Sequence, residues 1–94
     1  MIVEVLYFAE FKDITGKERE KFELYNSHLK EVINLLTKKY GKSLHNLIWD
    51  EKVQKLHNLI SIIINNTPIH EKDPSIINLS DGDTIAFLTP VSGG

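Results

Sequence analysis

The 94-residue sequence contains no cysteine. Disulfides, thiolate metal sites and a cysteine nucleophile are therefore excluded together. Arginine is nearly as scarce: Arg19 is the single arginine among 11 basic residues. Acidic residues number 13, which leaves a net charge of −2. With no basic excess and almost no guanidinium for bidentate phosphate contacts, nucleic acid is not an expected partner. No basic segment precedes an apolar stretch at Met1-Ile2-Val3-Glu4, and no apolar run approaches bilayer-spanning length. The expectation is a soluble, cytoplasmic protein with no membrane partner. The length also leaves no room for a doubly wound nucleotide fold or a (β/α)₈ barrel. What is present is ordinary: 41% hydrophobic and 26% charged residues, a composition that folds rather than staying disordered.

Period-two alternation marks 1–8 as a strand, with Val3, Val5 and Tyr7 on one side and Leu6 and Phe8 on the other. Thr15-Gly16 signals a turn, and Phe22 and Leu24 alternate with charges in a second strand, giving a hairpin. Asn26 and Ser27 are helix-start residues. Leu29, Val32, Ile33, Leu36 and Tyr40 then form one stripe of an amphipathic helix that Gly41 should stop. Leu44, Leu47, Ile48 and Trp49 suggest a helical turn, and 50–58 reads as a loop. The β-branched run 60–64 predicts a buried strand, Asn65-Asn66 a turn, and Pro68-Ile69 a short edge strand. Asp73-Pro74 opens a loop, Asp81-Gly82-Asp83 makes a turn, and 84–88 is the last strand. One helix against a mixed sheet of four to five strands is an α+β architecture, and this element order is that of the β-grasp. The expected organisation is one domain over 1–94, with 89–94 as a projecting tail.

Chemistry concentrates in the last six residues, Thr89-Pro90-Val91-Ser92-Gly93-Gly94. Gly93 and Gly94 lack Cβ atoms, so such a tail can thread a channel too narrow for other residues. The carboxylate of Gly94 would be open on both faces, and Pro90 would stiffen the exit from the strand. A carboxylate is inert until activated, so a partner must convert it to an acyl-adenylate with ATP. A sulfur or nitrogen nucleophile could then attack the carbonyl carbon.

Val5-Leu6-Tyr7-Phe8-Ala9, Thr15-Gly16, Ile64-Asn65-Asn66, Leu79-Ser80-Asp81-Gly82-Asp83 and Pro90-Val91-Ser92-Gly93-Gly94 together carry a resemblance. The chain resembles the MoaD-like small subunits of molybdopterin synthase, within the ubiquitin-like MoaD/ThiS sulfur-carrier family. The resemblance implies a ubiquitin-like β-grasp and a Gly94 that is adenylated and then converted to a thiocarboxylate. That group would donate sulfur to a pterin precursor of the molybdenum or tungsten cofactor. It implies three partners: a MoaE-like large synthase subunit, a MoeB-like ubiquitin-activating-type adenylyltransferase and a sulfur-donating enzyme. The chain itself would bind no cofactor, ATP being used by the activating enzyme, and would be a non-catalytic subunit without a self-contained active site. Where the family commonly has Phe-Pro-Pro this chain has Leu88-Thr89-Pro90, and where it often has Val-Asn-Gly this chain has Ile64-Asn65-Asn66.

Leu6, Phe8 and Leu88 should lie on the sheet face away from the helix, forming with Pro90, Val91 and Ser92 a partner-binding surface. The opposing expectation is that 43–58 covers them. His28, His45, His57 and His70 lack metal-ligand spacing, and no metal site is expected. Asp81 and Asp83 read as turn residues rather than an acid–base pair, Lys38, Lys39 and Lys42 as a solvated helix end, and Trp49 as an anchor. Alternative functions for the same carboxylate are sulfur carriage for tRNA thiolation or thiamine thiazole synthesis and ubiquitin-like conjugation through Gly94 to lysines. A non-covalent β-grasp adaptor is the alternative that does not use it.

Overall fold

A computed structural model describes residues 1–89. Strand β1 (Ile2–Tyr7) is an interior strand of a five-stranded sheet. On one side it pairs antiparallel with β2 (Arg19–Glu23), Val3 opposite Phe22 and Val5 opposite Glu20. On the other it pairs in parallel with β7 (Thr84–Leu88), Val5 opposite Ile85. Strand β7 also pairs antiparallel with β5 (Ser61–Ile64), which is joined by a tight turn to β6 (Thr67–Ile69). The order is β2-β1-β7-β5-β6, the β-grasp arrangement expected from the sequence. Helix α2 (Leu29–Tyr40) covers one face. Its buried stripe of Leu29, Val32, Ile33 and Leu36 meets Val3, Val5, Tyr7, Ile62, Ile64, Ile85 and Phe87 in one core. Period 3.6 against period 2 is what allows both surfaces to be apolar on the facing side only. At Gly41, φ is +80°, a left-handed value that glycine takes without a Cβ penalty, and its N–H closes the helix on Thr37 O at 2.8 Å.

Several local expectations are corrected. Between β1 and β2 the chain forms a short helix, α1 (Glu10–Thr15), which places the fully buried Phe11 in a stacked contact with Phe87, ring centroids 5.7 Å apart. Neither Asn26 nor Ser27 caps α2; the cap position is His28. Instead the Glu31 carboxylate accepts from the N–H groups of Tyr25 and Asn26. Ser27 and His28 are held by 77–79: Leu79 N donates to Ser27 O at 2.7 Å and Leu29 N to Ile77 O at 2.9 Å. The loop expected over 50–58 contains a small hairpin, β3 (Trp49–Asp50) with β4 (Lys55–Leu56), following helix α3 (Lys42–Ile48). The loop opened by Asp73-Pro74 holds a single 3₁₀ turn, Pro74–Ile76, capped by the Asp73 carboxylate on Ser75 N at 3.0 Å. Leu44, Ile48 and Leu56 sink into the core, so this whole segment joins the helical layer.

Candidate functional site

Strands β1 and β7 are parallel, so their C-terminal ends lie at the same end of the sheet. Phe8 follows the end of β1 and Thr89 follows the end of β7. Because β7 is the middle strand of five, the chain leaves the sheet at its centre rather than from an edge. Thr89 is the last described residue. The tail positions singled out above, Pro90, Val91, Ser92, Gly93 and Gly94, lie outside the described residues.

Alternation places Leu6, Ala86, Leu88 and Ile63 on the sheet face opposite α2, and the register sets Leu6 and Ile63 on either side of Ala86. Leu6 and Leu88 are half-buried, and Phe8 is 44% exposed. Segment 43–58 does not overlie them, since α3 and its hairpin pack with α2 on the other layer. Leu6 and Phe8 share a hollow of about 380 Å³ with Lys12, Glu18 and Arg19. Leu6 also contributes, with Ile63 and Ala86, to a second hollow of about 240 Å³ that reaches Asn65 and Thr84. Ile63 and Ala86 were not singled out from the sequence. The signal was there: Ser61 and Ile63 alternate with Ile62 and Ile64, and strand pairing then makes Ala86 the neighbour of both apolar side chains.

Turn chemistry holds this face in register. Asn65 and Asn66 both have positive φ, +50° and +66°. The Asn65 side chain donates to Asp83 Oδ1 at 2.7 Å and accepts from Thr84 N at 2.9 Å, tying the β5–β6 turn to the start of β7. Asp83 accepts from Ser80 N at 2.8 Å within the turn, and Asp81 accepts from Ile2 N at 2.7 Å, tying that turn to the start of β1.

The remaining candidates are dispersed. His45 lies between Thr37 Oγ1 (2.8 Å) and Glu51 (3.1 Å), and that contact holds the Glu51 carboxyl below its ordinary pKa. His57 Nδ1 accepts from Leu59 N, and His28 Nδ1 is buried without a partner among the described residues. Among the described residues no group of three or more His, Asp or Glu side chains is placed to hold a metal ion. Trp49 packs half-buried against the core, and no described helix is long and apolar enough to cross a membrane. The largest charged cluster is one the sequence did not point to. Glu20 accepts from Tyr7 OH at 2.9 Å, Tyr40 OH at 2.6 Å, Lys17 Nζ at 3.0 Å and Lys39 Nζ. Chemically, the outer face offers apolar contact, and Thr89 sits at the end of its central strand.

Comparison with known proteins adds the family. The ThiS family model matches residues 5–94, a span that runs through Gly93 and Gly94. No curated protein matches the sequence. The small archaeal modifier protein 1 of Methanosarcina acetivorans is 30% identical with a TM-score of 0.76, over 99% of this chain and 96% of that one. Subunits of the molybdopterin-converting factor complex of Helicobacter pylori 26695 include a chain 28% identical, TM-score 0.63, with full coverage of both chains. SAMP1 of Haloferax volcanii superposes with a TM-score of 0.81 at 18% identity, again over the whole of both chains, a likeness of fold. By fold and by a family match over nearly its entire length, this chain belongs to the ThiS family of ubiquitin-like sulfur carriers.

Proposed function

We propose that the chain carries sulfur for molybdopterin synthesis. The Gly94 carboxylate attacks the α-phosphate of ATP on a MoeB-like enzyme, releasing pyrophosphate and leaving an acyl-adenylate. Hydrosulfide released by a donor enzyme then attacks the carbonyl carbon; the C–O bond to AMP breaks, AMP leaves, and loss of the sulfur-bound proton gives a thiocarboxylate. The outer face, through Leu6, Phe8 and Leu88, docks on a MoaE-like subunit, and Pro90, Val91 and Ser92 guide Gly94 to the pterin precursor. The observation that carries this reading is the family match extending through the Gly-Gly pair, directly behind a strand whose Ala86 and Leu88 lie on the sheet face opposite α2. Intact mass spectrometry after incubation with the activating enzyme, ATP and a sulfur donor should show one oxygen-to-sulfur exchange located at Gly94. A chain lacking Gly94 should keep its fold and lose pterin sulfuration. Full sulfuration by that chain would overturn the proposal.

The identity to an archaeal modifier protein supports a second reading, conjugation of Gly94 to lysines of other proteins. The two separate by product: a thiocarboxylate at the free terminus for carriage, a Gly-Gly remnant on target lysines for conjugation. A terminus that acquires neither would remove both.

A further inference from the structure

The sheet has two edges, and they are unlike. The β6 edge is three residues long and carries Pro68, which lacks an N–H. The β2 edge is five residues long and has no proline. Its backbone direction follows from the bonds that flank the strand: Tyr7 N donates to Glu18 O at 2.9 Å and Leu24 N to Met1 O at 2.8 Å. Antiparallel pairs alternate between bonded and non-bonded, so Glu20 and Phe22 also face β1. The N–H and C=O groups of Arg19, Lys21 and Glu23 therefore point away from the sheet, along an edge that no described strand covers.

We propose that β2 is a docking edge for an extended acidic segment of a partner protein, which adds to the sheet as an antiparallel or parallel strand. Charge decides the occupant. Among the described residues Arg19 and Lys21 make no ion pair, and both are exposed on the outer face. Beside them Lys17 and Lys39 share the one carboxylate of Glu20, a cluster with one net positive charge. Glu18 is matched by Lys12 at 3.2 Å. The other acids on that face lie toward its far half: Glu4, across from Lys21 on β1, Asp81, which lines one hollow with Glu4 and Lys21 and accepts from Ile2 N, and Glu23 at the far end. The first half of the edge, 17–21, is thus positive. A second copy paired antiparallel about Lys21 would set that lysine against itself, and a basic strand would be repelled along its length.

Strand geometry also sets the spacing of the partner. Side chains alternate, so acidic residues at every second position would meet Arg19 and Lys21 on the outer face. Residues between them would point to the helix side, where Phe22 is half-buried and the Lys39 ammonium lies 5.9 Å from its ring centroid. Apolar side chains fit there. The segment is an alternation of Asp or Glu with apolar residues, and this recognition does not depend on the chemistry of Gly94.

The test uses the whole chain, ¹⁵N-labelled, and the peptide acetyl-Asp-Val-Asp-Val-Asp-Val-Asp-amide as probe. Saturable amide shifts are expected over 18–24. Hydrogen exchange at the Arg19, Lys21 and Glu23 amides should slow by about tenfold at saturation, while Glu20 and Phe22, already bonded to β1, should change little. The Arg19→Glu, Lys21→Glu double variant changes only exposed side chains and should weaken binding by roughly tenfold. Three results would overturn the proposal: shifts absent at millimolar peptide, an Asp-to-Lys peptide binding equally well, or protection of the same amides by self-association without peptide.

Discussion

Glu20 occupies an inward-facing position opposite Val5, where an unpaired carboxylate would cost several kcal/mol. Desolvation alone would raise its pKa. Hydrogen bonds from Lys39, Tyr40, Lys17 and Tyr7 outweigh that burial and hold the carboxyl down to about 2. The same bonds work on the phenols in the opposite sense: burial first, then the Glu20 carboxylate, push Tyr7 and Tyr40 above the usual tyrosine range. The signs give a pH window. A depressed carboxyl stabilises the fold fully above its unfolded pKa near 4.5, and that contribution is lost as pH falls through about 2. Raised phenols stabilise below about 10, and their contribution is lost as pH climbs through the higher folded values. Glu20→Gln should cost about 2–3 kcal/mol at neutral pH by urea unfolding, because two of the four donors then face a neutral, weaker acceptor and the other two an amide N–H₂ that cannot accept. The gap between wild type and variant should close as pH drops from 5 to 2. A gap that is flat with pH would show that packing, not charge, is what the substitution removes.

Elements differ in how openly the sequence declares them. Helix α2 repeats its apolar stripe over three turns, and β1 and β7 alternate over five or six residues, so periodicity suffices for each. Helix α1 has six residues and one fully buried side chain, too short for a stripe to repeat; it exists because Phe11 stacks on Phe87. Strands β3 and β4, two residues each, have no period at all and are fixed by long-range bonds such as Leu56 N to Lys72 O at 3.0 Å. The candidate face shows the same division: Leu6, Phe8 and Leu88 follow from alternation, but the pairing of Ile63 with Ala86 is a property of the sheet. The β5–β6 turn was legible by its residue types and offers a direct test. Asn65 and Asn66 are both left-handed, yet only the Asn65 side chain bonds to β7. Asn66→Gly should therefore stabilise by about 0.5–1 kcal/mol, as glycine is preferred at the second position of such a turn. Asn65→Ala should destabilise by about 1–2 kcal/mol, having lost two bonds as well as an easy positive φ. Thermal melts of the pair of variants moving in the same direction would contradict this account.

At the scale of the whole molecule, the residues that pack the core and the residues to which the proposed function assigns reactivity are different. Buried core residues run from Val3 to Phe87, and no described polar or charged residue is buried as a whole, so the fold closes on apolar packing before the tail begins. The sequence has no cysteine, the described residues hold no metal cluster, and the described chain ends at Thr89, directly after the middle strand of the sheet. That division has a consequence for C-terminal fusions. A bulky tag appended after Gly94 adds nothing to the core and should leave the unfolding midpoint within about 2 °C of the untagged chain, since a shift that small is under 1 kcal/mol for a domain this size. The same tag should abolish ATP–pyrophosphate exchange by the activating enzyme, because Gly94 would carry an amide in place of a carboxylate and an amide nitrogen is not displaced by adenylation. Removing the tag with a protease that leaves Gly94 as the last residue should restore exchange fully. Exchange that survives the tag would place the reactive carboxylate elsewhere, whereas biological function retained by the tagged chain with exchange abolished would favour a non-covalent adaptor, in which the outer face alone does the binding.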